Sequence, residues 1–272
     1  MAMDRKGDLP AAGGHSRSRG RTAPAEELRR QLASAPLPFL EGAMQNPELS
    51  HEEMAILLRN RNATGSLLGR IGRDRSWTRY YEVKKGLVLH PRTPFHVSRS
   101  LVGHLYWRDL AETAEQMVLN PALRRKAEEV LKVRVDEMSL GEQIALARRA
   151  SRGLVASLKE SAEDRVLRAL LDNARLVERD AVEIASGEHS PPDTLERLAE
   201  HPTWGERYSV RLALIRNAAT PVRVALRLAG KLPSQDLRRL SGDPEVPKIV
   251  RVGVERKLQS LEHETGDRTS RE

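Results

Sequence analysis

Apolar residues recur along this chain at helical rather than strand spacing. Drawn on a wheel at about 100° per residue, Trp77, Tyr80, Tyr81, Val83, Leu87 and Val88 share one arc of about 160°. Trp204, Tyr208, Val210, Leu214 and Ile215 do the same over 204–216. One cation lies inside each arc, Lys84 in the first and Arg211 in the second. Further helices are predicted over 94–106, 109–118, 193–200 and 221–231. Several begin at a polar residue or proline, where the missing proline N–H costs nothing. There is no Asn-Gly or Asp-Gly hairpin signal and no sustained alternation of Val, Ile and Thr. The pattern predicts an all-α fold.

The chain also repeats itself. At an offset of 127, WTRYYEVKKGLVLHPRTP (77–94) aligns with WGERYSVRLALIRNAATP (204–221). The match continues without a gap through Val97/Val224, Leu101/Leu228, Gly103/Gly230 and Asp109/Asp236, and runs back to Leu68/Leu195. A finer period is predicted from helix starts whose fourth positions fall at 77, 123, 164, 204 and 246. These define units of 40–46 residues, each read as three helical pieces. One unit cannot bury its own apolar face, whereas stacked units can. GEQIALARRA (141–150) resembles EEMAILLRN (52–60) and ties the start of the chain to the array. The domain reading is a disordered basic tail over 1–24, an irregular leading helical unit over 25–60, repeats over 61–260 and a disordered tail over 261–272.

DPEVPKIVRVGVE and NPALRRKAEEVL resemble the second-helix start of HEAT repeats, and the three-piece unit resembles armadillo repeats. NRNAT, HPRTP and NAATP resemble the turn of leucine-rich-repeat variant proteins. That family's shorter unit and its iron–sulfur association do not match the longer spacing or the lack of cysteine. The resemblance implies a right-handed α-solenoid of about five units plus the leading one. It also implies a scaffold that binds a protein or peptide along an extended surface. A minority of such proteins, the HEAT-like alkylpurine DNA glycosylases, hold DNA there, but none of their catalytic residues maps onto this chain by motif.

Composition narrows the chemistry. The 272 residues include 9 aromatics and no cysteine, which excludes disulfides, thiolate metal sites and cysteine nucleophiles. No apolar run approaches the length of a membrane span, and the charged start is not a signal peptide, so a cytoplasmic protein is expected. The eight His make no HExxH pair, GSLLGRIG (65–72) lacks the Lys-Ser/Thr of a phosphate loop, and no acid pair or Gly-x-Ser-x-Gly elbow stands out. No enzyme, metal or cofactor is predicted, and no small-molecule substrate is evident.

The net charge of +8 is unevenly placed. Residues 59–108 carry eleven basic and two acidic side chains with six of the nine aromatics. Such a segment suits an acidic protein partner or nucleic acid. Tyr106 and Trp107 have no aromatic counterpart in the second copy. Arg73, Arg75, Arg79, Lys85, Tyr106 and Trp107 are therefore the candidate binding residues. A buried cation needs a partner, so Lys84 and Arg211 are expected to form a structural ladder with the matching Asp109 and Asp236.

Overall fold

The computed structural model describes residues 11–161 and 163–269. The chain divides into two compact units, 1–133 and 134–272. The first unit contains α1 (Ala11–Thr22), α2 (Ala25–Gln31), α3 (Leu37–Ala43), α4 (His51–Leu57), α5 (Gly65–Arg73), α6 (Arg75–Thr78), α7 (Tyr81–Leu89), α8 (Phe95–Val102), α9 (Trp107–Glu115) and α10 (Pro121–Arg134). The second contains α11 (Leu140–Arg149), α12 (Arg152–Leu158), α13 (Asp164–Leu171), α14 (Glu178–Ser186), α15 (Pro192–Glu200), α16 (Tyr208–Arg216), α17 (Val222–Ala229), α18 (Ser234–Ser241) and α19 (Lys248–Thr269). No strand occurs among the described residues, and no helix there is long and apolar enough to cross a membrane.

The duplication is wider than its sequence signal. Eight helices of the second unit, α12 to α19, start 127 residues after α2, α3, α4, α5, α7, α8, α9 and α10 respectively. Helix α11 overlaps α1 at the same offset. The counterpart of α4 is therefore α14, not the 141–150 segment that resembles it in sequence. The buried positions follow the offset: Leu40/Leu167, Leu68/Leu195, Leu87/Leu214, Leu110/Leu237 and Leu131/Leu258.

The helices are short because proline, polar residues or extended backbone interrupt them every few residues. Pro24, Pro36, Pro191, Pro221 and Pro233 stand at N-caps, and Ser50 and Ser139 form capping boxes with Glu53 and Glu142. Such helices cannot hold themselves in water, so their stability comes from packing. Helices pack in rows that skip their chain neighbours: α11, α13, α15, α17 and α19 touch in succession, as do α4, α7 and α9. The α13, α15, α17 and α19 starts at 164, 192, 222 and 248 lie 26–30 residues apart. Along this row the spacing is that of a helix pair, and the residues drawn on one wheel from Trp77 to Val88 belong to two helices. Tyr80 is extended and separates α6 from α7, and Arg207 does the same before α16.

Buried asparagines lock successive layers. Asn46 donates to the carbonyls of Gly20 (2.9 Å) and Ala23 (2.8 Å). Asn173, its counterpart, donates to Ala147 (2.7 Å) and Ala150 (3.1 Å). Asn60 and Asn217 act alike on Leu32 and Ala35 and on Ala185 and Gly187. Each satisfies carbonyls that a helix end leaves without an intrahelical partner.

The two tails differ from expectation. Residues 1–10 and 270–272 lie outside the described residues, but 11–22 form α1, and α19 runs to Thr269. The Gly/Ser/Arg composition of 11–22 reads as disorder, yet two glycines give it a docking face. A Cβ on Gly20 would stand 2.2 Å from the Phe39 carbonyl oxygen, and one on Gly42 2.0 Å from that of Arg17. Helices α1 and α3 cross in backbone contact that only glycine permits.

Candidate functional site

The expected ladder has other members. Asp109 is held by Lys85 (3.0 Å) and by the Tyr81 hydroxyl, not by Lys84. Arg211 turns back onto its own approach loop, donating to the Gly205 carbonyl (2.9 Å) and pairing with Glu206, and does not reach Asp236. Asp236 instead accepts from Tyr208, the counterpart of Tyr81. Lys84 does lie between Leu87 and Val88 on the wheel of α7, but the neighbouring Lys85 is the cation that reaches Asp109. The carboxylates that do recur are Glu53 and Asp180 in α4 and α14, and Asp109 and Asp236 in α9 and α18. Each is the third residue of its helix, where the helix dipole favours an anion. Glu53 and Asp180 are each 1% exposed and are met by Arg29 and Arg152. Burial alone would raise the Asp180 pKa, but the hydrogen bonds from Arg152 and the Val177 N–H hold it low.

The six candidate binding residues fall in separate places. Arg73, Arg75 and Arg79 are exposed around α6. Arg79 donates to the Tyr80 hydroxyl at 2.6 Å, and the Tyr80 ring stacks on His51 at 4.4 Å. Tyr106 is 66% exposed and lies against Tyr81 at 4.2 Å. Trp107 carries the Arg108 guanidinium over its ring at 5.3 Å. Lys85 is engaged with Asp109, whose hydrogen bond and charge raise its pKa.

Of the six, only Lys85 lines a groove of the first unit of about 570 Å³ between α4, α7 and the segment after α9. Its apolar lining is Ala55, Leu58, Gly86, Leu89 and Val118. Gly86 sets the depth, since a Cβ there would meet Leu58 Cδ1 at 2.8 Å. The rim carries Arg59, Arg61 and Arg92 with Glu82. These three arginines make no ion pair among the described residues. His90 fixes the Arg92 turn: its Nδ1 accepts from the Arg92 N–H (3.1 Å) and its Nε2 meets the Asn60 carbonyl (3.2 Å). That arrangement needs a neutral ring with the proton on Nε2, and burial lowers its pKa accordingly.

Comparison with protein-family models, with curated proteins and with solved structures finds no match. The groove's chemistry is therefore read from its own lining, and the duplication supplies a control. The second unit has the same groove, about 490 Å³, lined by Val182, Ser186, Ser209, Leu212, Ala213, Arg216, Asn217 and Glu245. Every one of these stands 127 residues after a lining residue of the first groove. There Arg59 is replaced by Ser186 and Lys85 by Leu212, and the one arginine, Arg216, is neutralised by Asp243 at 2.9 Å. The backbone does not require the basic rim of the first groove. The signal that could have found it was the difference between copies at helix ends, where Arg59, Arg61 and Arg92 sit.

Proposed function

We propose that the protein is a non-catalytic scaffold of HEAT/armadillo-like α-solenoid type whose first unit binds an acidic, partly apolar segment of a protein partner. Succession of helix pairs within each unit supports the solenoid reading. The observation that carries the binding reading is the groove between α4 and α7. It sets three arginines without ion pairs around an apolar lining, where the copy has a neutralised rim. A protein site mixes charge with apolar surface, whereas a nucleic-acid track is a continuous run of cations along phosphates. The nucleic-acid reading keeps the exposed Tyr106 ring and the arginines around α6 in its favour.

The test is fluorescence anisotropy of a labelled peptide alternating Glu and Leu, with an oligo-dT strand of equal charge as comparator. Wild-type protein should prefer the peptide. Arg59→Glu with Arg92→Glu should weaken it by about tenfold or more at low salt, about 1.4 kcal/mol, with the melting temperature unchanged. Preference for oligo-dT, or full peptide binding by the variant, would overturn the reading.

A further inference from the structure

The second unit holds a cluster that neither the basic segment 59–108 nor the groove accounts for. Arg148 of α11, Arg165 and Arg168 of α13 and Arg197 of α15 converge on an open pocket of about 470 Å³. Its base is Ile144 and Ala169, and Asp172 is the one acid in its lining. Arg168 pairs with Asp164 within its own helix. Arg148, Arg165 and Arg197 make no ion pair among the described residues. Gathering four guanidiniums of one sign opposes folding, and an anion bound among them relieves that repulsion.

The first unit shows that the fold does not demand this arrangement. At the offset of 127, Arg148 and Arg197 correspond to Arg21 and Arg70, whereas Arg165 and Arg168 correspond to Pro38 and Glu41, and Ile144 to Arg17. There Arg17 and Glu41 neutralise each other at 2.7 Å. The pocket's space differs as well. Gly20 and Gly42, which let α1 and α3 cross in backbone contact, are replaced by Ala147 and Ala169. Helices α11 and α13 cannot approach in that way, and the pocket opens beside Ala169. Two cations of α13 thus stand where the copy has Pro38 and Glu41, and they flank a cleft beside Ala169 where the copy has the close Gly20–Gly42 crossing.

We propose that the pocket formed by α11, α13 and α15 binds a polyphosphate anion, either an inorganic chain or the phosphate tail of a nucleotide. Guanidinium forks match phosphate oxygens in pairs, and several on separate helices suit a ligand of several phosphates better than a single carboxylate. No aromatic residue lines the pocket, so nothing there is placed to stack on a base. The basic run is also local. On the next helix of the row, Arg223 and Arg227 pair with Glu196 and Glu200, which ends the positive surface and argues against a nucleic-acid track.

Isothermal titration of the full chain with tripolyphosphate, ATP, adenosine and oligo-dT tests this. Tripolyphosphate should bind, weaken with added salt, and raise the melting temperature. ATP should bind within a few-fold of it and adenosine not at all. Arg148→Ser with Arg165→Ser replaces two exposed side chains and should lower tripolyphosphate affinity by about 100-fold without lowering the melting temperature. Arg59→Ser with Arg92→Ser, in the other unit, should leave it unchanged, which separates this site from the peptide groove. No tripolyphosphate binding at millimolar concentration, or full binding by the α11/α13 variant, would overturn the proposal. ATP more than about tenfold tighter than tripolyphosphate would also overturn it by requiring base recognition, and so would oligo-dT outcompeting both.

Discussion

Asn173 offers the sharpest test of how the layers are held. Its side chain is 3% exposed and donates to the carbonyls of Ala147 and Ala150, both fully buried, while its Oδ1 accepts from the Arg175 N–H at 2.8 Å. Replacing it with alanine strands two buried acceptors, and each costs about 1–3 kcal/mol. Arg175 is exposed, so its N–H regains water at little cost. The expected loss is about 2–5 kcal/mol. At a urea dependence of about 2 kcal/mol per molar for a unit of this size, the midpoint should fall by about 1–2.5 M. Trp204 is the one tryptophan of the second unit, and its indole N–H donates to Leu171 (3.1 Å), two residues from Asn173. Its fluorescence in a Trp77→Phe, Trp107→Phe background therefore reports the transition locally. Asn173→Asp sharpens the test, because it keeps the acceptor for Arg175 but turns a carboxylate oxygen toward two carbonyls. It should be worse than alanine at neutral pH. A midpoint shift below about 0.5 M for Asn173→Ala, or an aspartate variant as stable as wild type, would refute the clamp.

Two further perturbations separate backbone from side-chain effects. Gly42→Ala should destabilise the first unit by more than about 2 kcal/mol, since its Cβ would overlap the Arg17 carbonyl, whereas Gly103→Ala, with nothing within 4 Å, should be neutral; equal midpoints for the two would show that α1 does not dock on α3 as described. Both His90 and His201 have lowered pKa values, with burial the foremost cause, and each Nδ1 accepts a backbone N–H. The native state holds them neutral while the unfolded chain takes protons below about pH 6.5. Stability should therefore be level above that pH and fall between about 6.5 and 5, before the lowered carboxylates Glu53 and Asp180 contribute. A urea midpoint that holds or rises on acidification from pH 7.5 to 5.5 would contradict the buried neutral rings.

What could be read from the chain depended on where packing and identity coincide. Trp77/Trp204, Tyr81/Tyr208 and Asp109/Asp236 were visible because the residue itself is kept, in the last two pairs with a shared Tyr–Asp hydrogen bond. The first 60 residues match the second unit only at positions such as Leu40/Leu167, Asn46/Asn173 and Leu49/Leu176, each separated by variable surface, so the alignment stopped at Leu68 although the duplication goes on. Helix α1 was unreadable for a different reason. Glycine counts against a helix in any propensity scale, and its merit at Gly20 exists only opposite Gly42. The misassigned cation came from pairing by burial pattern alone: Lys84 lies in the apolar arc of α7, but Asp109 is taken by Lys85 and Tyr81.

The same comparison decides between a solvated basic surface and a built one. A chain rich in arginine places guanidiniums on any exposed helix face, and a local count of charge cannot tell accident from use. The two units remove that ambiguity, because equivalent positions share backbone, burial and helix ends. In the α4–α7 groove the first unit has unpaired arginines and the second has Arg216 neutralised by Asp243. In the α11–α13 pocket the second unit gathers four arginines; Arg148 and Arg197 have counterparts in Arg21 and Arg70, but Arg165 and Arg168 stand where the first unit has Pro38 and Glu41, the latter paired with Arg17. If arginine content alone set the pattern, the excess would fall on both copies of each place. The unpaired excess of the α4–α7 groove falls on the first copy, whose groove is the larger of the two, and the two additional arginines of α13 fall on the second. Divergence of charge together with cavity, on a conserved frame of buried leucines and asparagines, is what separate ligands for the two units would produce.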